Sequence, residues 1–591
     1  MPRGKRGGRG GRDGKVVAPR NESSPYIAKP TVAELPTSLQ LPSPFGMLPE
    51  RIVSALPEFK NSQAFFSLLE RSNPEFAGST TQHANTWLGI PNDEIESLDR
   101  IGDSGFEATL RCRNGTVYPL FLKRIHLLDP IQYMEGEYIL PSEGGLPAPS
   151  DLWNRALGKI NESLNEAYVD AFFALHASRL VDQNVSPHWC RCFGTFAARA
   201  EKYMFNITEE YNSLKHQPWW KRNQRIGLFS LVAAEEEPKE AKRAFSNEPG
   251  QILSGDDFLE VASLDSESEE ATITDNEPDT DTTEALPLRL STPKLRLKRL
   301  SDTGQEDEGS DSSDSVDTVE QYVEFTNFPV QVTLLERADG TLDQLVEEEE
   351  DEETKEARWT AWLFQVIAAL SCGQHLFGFV HNDLHTNNIM WTGTGITFLY
   401  YKLVKNNVTT YMKVPTYGRI MKVIDFGRAT YHLPEPCGFV ISDAFFPGND
   451  ASTQYNCEPF YNPTEGKKVE PNTSFDLARL SVSLIESLYP ERPPTKNPTV
   501  ILSREGAKLY TQTESSVYNM LWEWLQDDEG KNILRGPDGK ERYPDFELYR
   551  VLAARVHKAV PKRQLERPMF NVFQCEKRHI ADSETIYTLN L

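Results

Sequence analysis

Residues Phe379-Val380-His381-Asn382-Asp383-Leu384-His385-Thr386-Asn387-Asn388-Ile389-Met390 carry the segment on which the reading of this chain turns. A run of apolar residues at helical spacing, RWTAWLFQVIAALSCGQHLFG, precedes it, and an apolar strand-like run follows. Two groups suited to directing a proton or a metal, Asp383 and Asn388, lie five residues apart between these elements. That placement belongs to a catalytic loop. Further on, Met421-Lys422-Val423-Ile424-Asp425-Phe426-Gly427 is a β-run ending in an acid, an aromatic and a glycine, and an acid at a strand end can reach Mg²⁺.

Together and in this order, the two segments resemble the HxDxxxxN and DFG motifs of the eukaryotic-type protein kinase superfamily. The resemblance implies an α+β, two-lobed protein-kinase-like fold, with ATP and Mg²⁺ as cofactors and protein hydroxyls as acceptors. Asp383 would orient and deprotonate the hydroxyl, and Asn388 and Asp425 would hold the metal. Lys123, 21 residues after Gly102 on the strand Leu120 to Ile125, would position the phosphates. The helix after it offers Glu162 or Glu166 as the lysine's carboxylate partner, with Glu166 preferred.

The glycine-loop segment Gly102-Asp103-Ser104-Gly105-Phe106-Glu107 matches GxGxxG only at its first position. Backbone amides around Gly102 and Gly105 would cradle phosphate, Phe106 would be the loop-tip aromatic, and Glu107 would oppose the nucleotide's charge. Val330 to Glu336 reads as the strand entering a connector, with the adenine edge bonding backbone near Glu336 to Ala338. Asn382 stands where many family members carry an arginine for a phosphorylated activation segment, so that control is expected to be missing. His385 replaces the lysine that contacts the transferred phosphoryl. The resulting His-x-Asp-x-His-x-x-Asn is shared with small-molecule kinases of the aminoglycoside and choline type, which makes such an enzyme one alternative and a weakly active scaffold another. Asp476 in SFDLARL resembles the aspartate that braces the catalytic loop.

Asp383 and Asp425 are 42 residues apart, and the surplus reads as a long hairpin turning at Asn406-Asn407. With SPHW and CFGTF upstream, this hairpin resembles the Ser/Thr protein kinases of large nucleocytoplasmic DNA viruses. The likeness covers about residues 95–200 and 325–490.

The periphery follows from composition. Only 39 % of the 591 residues are hydrophobic and the net charge is −25, which excludes a wholly basic nucleic-acid-binding surface. Residues 1–46 read as a disordered basic and Pro-rich tail, 47–94 as a helical extension, and 95–340 as the small lobe. Within it, about 233–318 reads as a disordered acidic insertion, and residues 341–591 read as the large lobe with a C-terminal extension. Three antiparallel strands are expected over 97–127 with a two-residue turn at Asn114-Gly115, and a helix or helix pair over 152–182. Arg3, Lys5, Arg6, Arg9 and Arg12 among glycines resemble RNA-binding segments, which implies weak RNA binding against the blander readings of a solvated tail or one held by the acidic insertion. Lys294 to Arg299 is a basic island read as a solvated cluster in preference to a contact site or nuclear import signal. No apolar run spans a membrane, and sparse cysteines suggest reduced thiols. An intracellular, cytoplasmic protein follows, in host cytoplasm or virion on the viral resemblance.

Overall fold

The computed structural model describes residues 55–63, 67–72, 95–101, 106–140, 151–236, 295–299, 320–347, 352–446, 472–496 and, with short breaks, 501–591, plus a few isolated positions. The basic tail, Gly102, Gly105 and most of the acidic insertion lie outside the described residues. The fold is mixed α+β, built on a curled antiparallel sheet.

That sheet contains β1 (Phe59–Gln63), β2 (Ile95–Ile101), β3 (Glu107–Cys112), β4 (Val117–His126), β5 (Cys192–Asn206), β6 (Ser230–Glu236), β7 (Leu295–Arg299) and β8 (Glu320–Glu336). Its order is β1-β5-β8-β4-β3-β2, with β6 paired to β8 and β7. The expected β2-β3-β4 meander is present, but its turn is a three-residue loop, Arg113 to Gly115. Gly115 alone has positive φ (86°), its N–H donates to Cys112 O (2.9 Å), and Cys112 N–H donates to Thr116 O (2.9 Å). A type I turn closed by one left-handed residue asks less of Asn114 than a two-residue turn would. Two further expectations change. Phe59–Gln63, read as helical, is an edge strand on β5, and residues 233–236 and 295–299, read as disordered and as a solvated or contact island, are strands paired with each other. Short apolar runs are ambiguous in period, so the available sheet edge decides.

Alternate residues of β4 face two cores. Leu120 and Leu122 join Leu110, Phe196, Val332 and Leu334 on one side. Ile125, on the face that also carries Lys123, joins the larger core around α4 (Glu166–Asp182). The chain reaches α4 through α1 (Ser67–Ser72), α2 (Pro130–Glu135) and α3 (Asp151–Ile160), so residues 152–182 form a helix pair. Asn165 starts the second helix by accepting Ala167 N–H at 3.1 Å, a cap whose loss typically costs ~1 kcal/mol. Apolar residues surround nearly all of α4, as expected for a helix buried on every side.

Helices α5 (Tyr211–Leu214) and α6 (Trp220–Arg225) lie between β5 and β6 in sequence, and past β8 come β9 (Gly340–Thr341), α7 (Leu342–Glu347) and the long α8 (Glu352–Phe377). β10 (Ile389–Gly393) pairs with β9 and with β13 (Arg419–Val423). Between them stands the expected hairpin, β11 (Phe398–Lys405) and β12 (Val408–Pro415), turning at Asn406 (φ 48°) and Asn407 (φ 65°). The C-terminal segment extends it on both sides, β16 (Gln574–Cys575) on β12 and β17 (Ile586–Asn590) parallel to β11. β14 (Thr430–Leu433) and β15 (Gly438–Ile441) form a hairpin, and α9 (Phe475–Leu488) packs beneath the loop after α8. Among the described residues no helix is long and apolar enough to cross a membrane, and all six described cysteines are free.

Candidate active site

Helix α8 stops where Gly378 enters the left-handed region (φ 57°), a common helix ending, and the chain is caught at once by β14: Val380 and Thr430 exchange backbone hydrogen bonds of 2.9 Å. His381 and Asn382 then aim their N–H groups at the two carboxylate oxygens of Asp476, each at 2.9 Å. Asp476 lies in the first turn of α9 and is fully buried, and that burial lifts its pKa to about 6 against the pull of His381 and the two amides. This is the bracing role expected of it. The His381 ring closes the loop from the other side, accepting from Asp383 N–H at Nδ1 (3.3 Å) and donating from Nε2 to Ile424 O (2.7 Å).

Those contacts bring the two motif segments together. Asn388 donates its amide Nδ2 to Asp383 O (2.9 Å), and Ile424 N–H donates to Asn388 O (3.2 Å). The Nδ2 donation orients the Asn388 amide and leaves Oδ1 as the atom that could accept from a donor or ligate a cation. Next along the chain Asp425 adopts φ 64°, a conformation aspartate tolerates better than most residues. Its Oδ1 accepts from Lys123 Nζ at 2.9 Å.

Lys123 is buried and contacts a second carboxylate more closely, Asp170 Oδ1 at 2.7 Å. Glu166 is therefore not its partner, which corrects the expectation drawn from helix spacing. Glu166 sits one turn earlier and accepts from Arg428 Nε at 2.8 Å. Its side chain also crowds Gly427, where a Cβ would lie 2.9 Å from Glu166 Cγ, so a larger residue there would displace the Glu166 side chain. Asp170 also accepts the Phe426 N–H at 2.7 Å, and the Phe426 ring packs on Phe173 of the same helix at 4.8 Å.

Burial alone would lower the Lys123 pKa, but Asp170 and Asp425 reverse it and hold the ammonium above its ordinary value. Burial likewise works to raise Asp425, but Lys123 outweighs it and keeps this partly exposed carboxylate charged. Asp170, buried beside a second acid, is pushed up. Two carboxylates thus share one cation, and the excess negative charge suits a divalent metal. Among the described residues no cluster of three or more His, Cys, Asp or Glu forms a closed metal cage. Asp425 and Asn388 instead offer the sparse protein ligation that Mg²⁺ takes alongside phosphates.

Two other expectations change. Phe106 is not a loop tip: it stacks on Phe121 (6.1 Å) and lies under the Arg124 guanidinium (4.5 Å). Glu107 turns to the connector and pairs with Arg337 Nη1 at 3.1 Å, which offsets its charge. At Glu336 the backbone N–H donates to Arg191 O (2.8 Å) and the carboxylate accepts from Arg191 N–H (3.1 Å) and buried Lys422 Nζ (3.2 Å). Its amide is thus engaged inside the fold, and so is that of Arg337, which bonds Pro119 O at 3.0 Å. His385 accepts Asn387 N–H at Nδ1 (3.3 Å), and burial lowers its pKa, so the ring is neutral and does not reproduce a lysine's charge.

Sequence reasoning missed Asp170 and Lys422. The signal for Asp170 was present, since it is the one acid inside the apolar run AYVDAFFALHA, and a buried acid needs a partner. Lys422 had no such signal, because its partners Trp189 O (3.0 Å) and Glu336 come from distant segments. Comparison with protein-family models and with curated proteins finds no match for this chain.

Proposed function

We propose that this protein is an ATP- and Mg²⁺-dependent protein kinase with a two-lobed kinase-type fold, transferring the γ-phosphoryl group to Ser or Thr hydroxyls. The observation that carries the reading is one continuous network. Lys123 joins Asp425 at 2.9 Å, and the residue before Asp425 is bonded through Ile424 to Asn388 and His381, which hold the loop bearing Asp383. When bound, Mg²⁺-ATP supplies the phosphoryl group and the counter-charge for its transfer. Lys123 would position the phosphates, and Asp425 and Asn388 would hold the metal. Asp383, only 9 % exposed at the end of the braced loop, orients the acceptor hydroxyl and takes its proton. The chain's contribution is mainly placement and charge, the two effects on which phosphoryl transfer chiefly depends.

The reading is tested by incubating purified protein and γ-labelled ATP with Mg²⁺ or with a chelator. Generic acidic and basic proteins form one arm, and an aminoglycoside and choline form another. Label on protein Ser or Thr only with Mg²⁺ supports it. Label on the small molecules alone assigns a small-molecule kinase, and none on any acceptor assigns a scaffold.

A further inference from the structure

The α5–α6 pair carries a local positive charge, opposite in sign to that of the chain as a whole. From Tyr211 to Phe229 there are four Lys or Arg residues, one His and no Asp or Glu, in a chain whose net charge is −25. His216, Lys221, Arg222 and Arg225 are exposed. Among the described residues none of the last three makes an ion pair, and Arg222 Nε reaches only the neutral Asn223 Oδ1 at 3.0 Å. The platform beneath is fixed. Trp220 is buried against Phe229 (4.9 Å) and Tyr211 (6.1 Å), and Asn223 Nδ2 donates to Met134 O at 2.6 Å. The backbone that carries the cations is thereby held in place, while their exposed side chains stay free to reach an acidic partner.

We propose that this cationic face is the docking surface for the chain's own acidic segment, residues 248–284. That segment holds 13 Asp or Glu residues and no Lys or Arg. It is tethered beside the platform, because β6 starts at Ser230, next to Phe229, and ends at Glu236. Six strand steps place the departure point ~20 Å away. The 20 residues from Glu236 to Asp256 span up to ~66 Å, ample to return. One exposed ion pair contributes little, but a tether makes each contact intramolecular and several act together. The inference is independent of the phosphotransfer reading.

Two full-length proteins are compared with the parent. In one, the 13 acids of 248–284 become Asn or Gln, and in the other Lys221→Glu, Arg222→Glu and Arg225→Glu are combined. Both should raise hydrogen exchange across residues 219–228 by about fivefold or more. A fluorescein-labelled peptide of residues 248–284 should bind the neutralised protein at least tenfold more tightly than the parent at low salt. The combined Glu changes added to the neutralised protein should abolish that binding. Exchange and peptide affinity unchanged from the parent would overturn the proposal. So would a labelled oligouridylate that binds parent and neutralised protein equally through the three cations while the peptide does not, since the face would then serve single-stranded nucleic acid.

Discussion

Asp170 holds the Lys123 ammonium at 2.7 Å from a position four residues beyond Glu166 on the same helix. Through the same oxygen it accepts the Phe426 N–H, so one carboxylate ties helix α4, strand β4 and the turn after Asp425 together. Each of the two acids on this helix face has its own cation, Lys123 for Asp170 and Arg428 for Glu166.

Asp170→Asn is expected to lower phosphotransfer about a hundredfold, equivalent to ~2.7 kcal/mol, because Lys123 loses its closer partner and the Phe426 amide a strong acceptor. Glu166→Gln should cost no more than a few-fold, since it disturbs a pair 17 % and 31 % exposed at the site's margin. Initial rates at saturating Mg²⁺-ATP check both. Equal losses in the two variants would contradict the assignment of Asp170.

Asn382 predicts activity without prior phosphorylation. Its Nδ2 donates to Arg428 O at 2.9 Å, so the segment after Gly427 is tied to the catalytic loop by an amide that needs no phosphate. Phosphatase-treated enzyme should start without a lag, and Asn382→Ala should lower the rate about tenfold. A lag in the parent that ATP preincubation abolishes would count against it.

Stability should fall on acidification. Burial pushes His176 and His188 down to about 3, so both are neutral when folded but take up protons once unfolded, near pH 6.5. Between about pH 6.5 and 3 the unfolded state binds more protons, and each histidine withdraws stability at up to ~1.4 kcal/mol per pH unit as pH drops. Asp476, raised to about 6, acts oppositely: its contribution is full below the ordinary carboxylate range and is lost as pH rises through 6. The two histidines outweigh it. His176 has both ring nitrogens without partners among the described residues and packs on Phe172 (5.0 Å), so His176→Phe should flatten the slope by about one histidine's share. Urea unfolding from pH 7.5 to 5 measures this, and an unchanged slope would contradict it.

What could be read from the chain depended on how near the deciding partners lay. Asp383, Asn388 and Asp425 sit on short segments whose spacing sets their geometry, and Asp476 opens a helix just where its carboxylate can meet two loop amides. The β11–β12 hairpin announced itself because Asn406 and Asn407 both tolerate positive φ. Choosing between Glu166 and Asp170 required the rotation of α4 about its axis, set by burying Phe172 and Phe173, and no local pattern gives that angle. Phe106 and Glu107 were misread for the same reason, since their partners Arg124 and Arg337 lie on another strand or across the connector. The pairing of β17 with β11, almost two hundred residues apart, is likewise a product of the packed chain.

The central claim is that Asp383 serves the acceptor while Asp425 serves the metal-nucleotide. Phosphotransfer and Mg²⁺-ATP affinity measured together for the parent, Asp383→Ala and Asp425→Asn test it most directly. The account predicts that Asp383→Ala loses at least a thousandfold in transfer, ~4 kcal/mol, with nucleotide affinity within a few-fold of the parent, while Asp425→Asn loses both. Full transfer activity in either variant would contradict it.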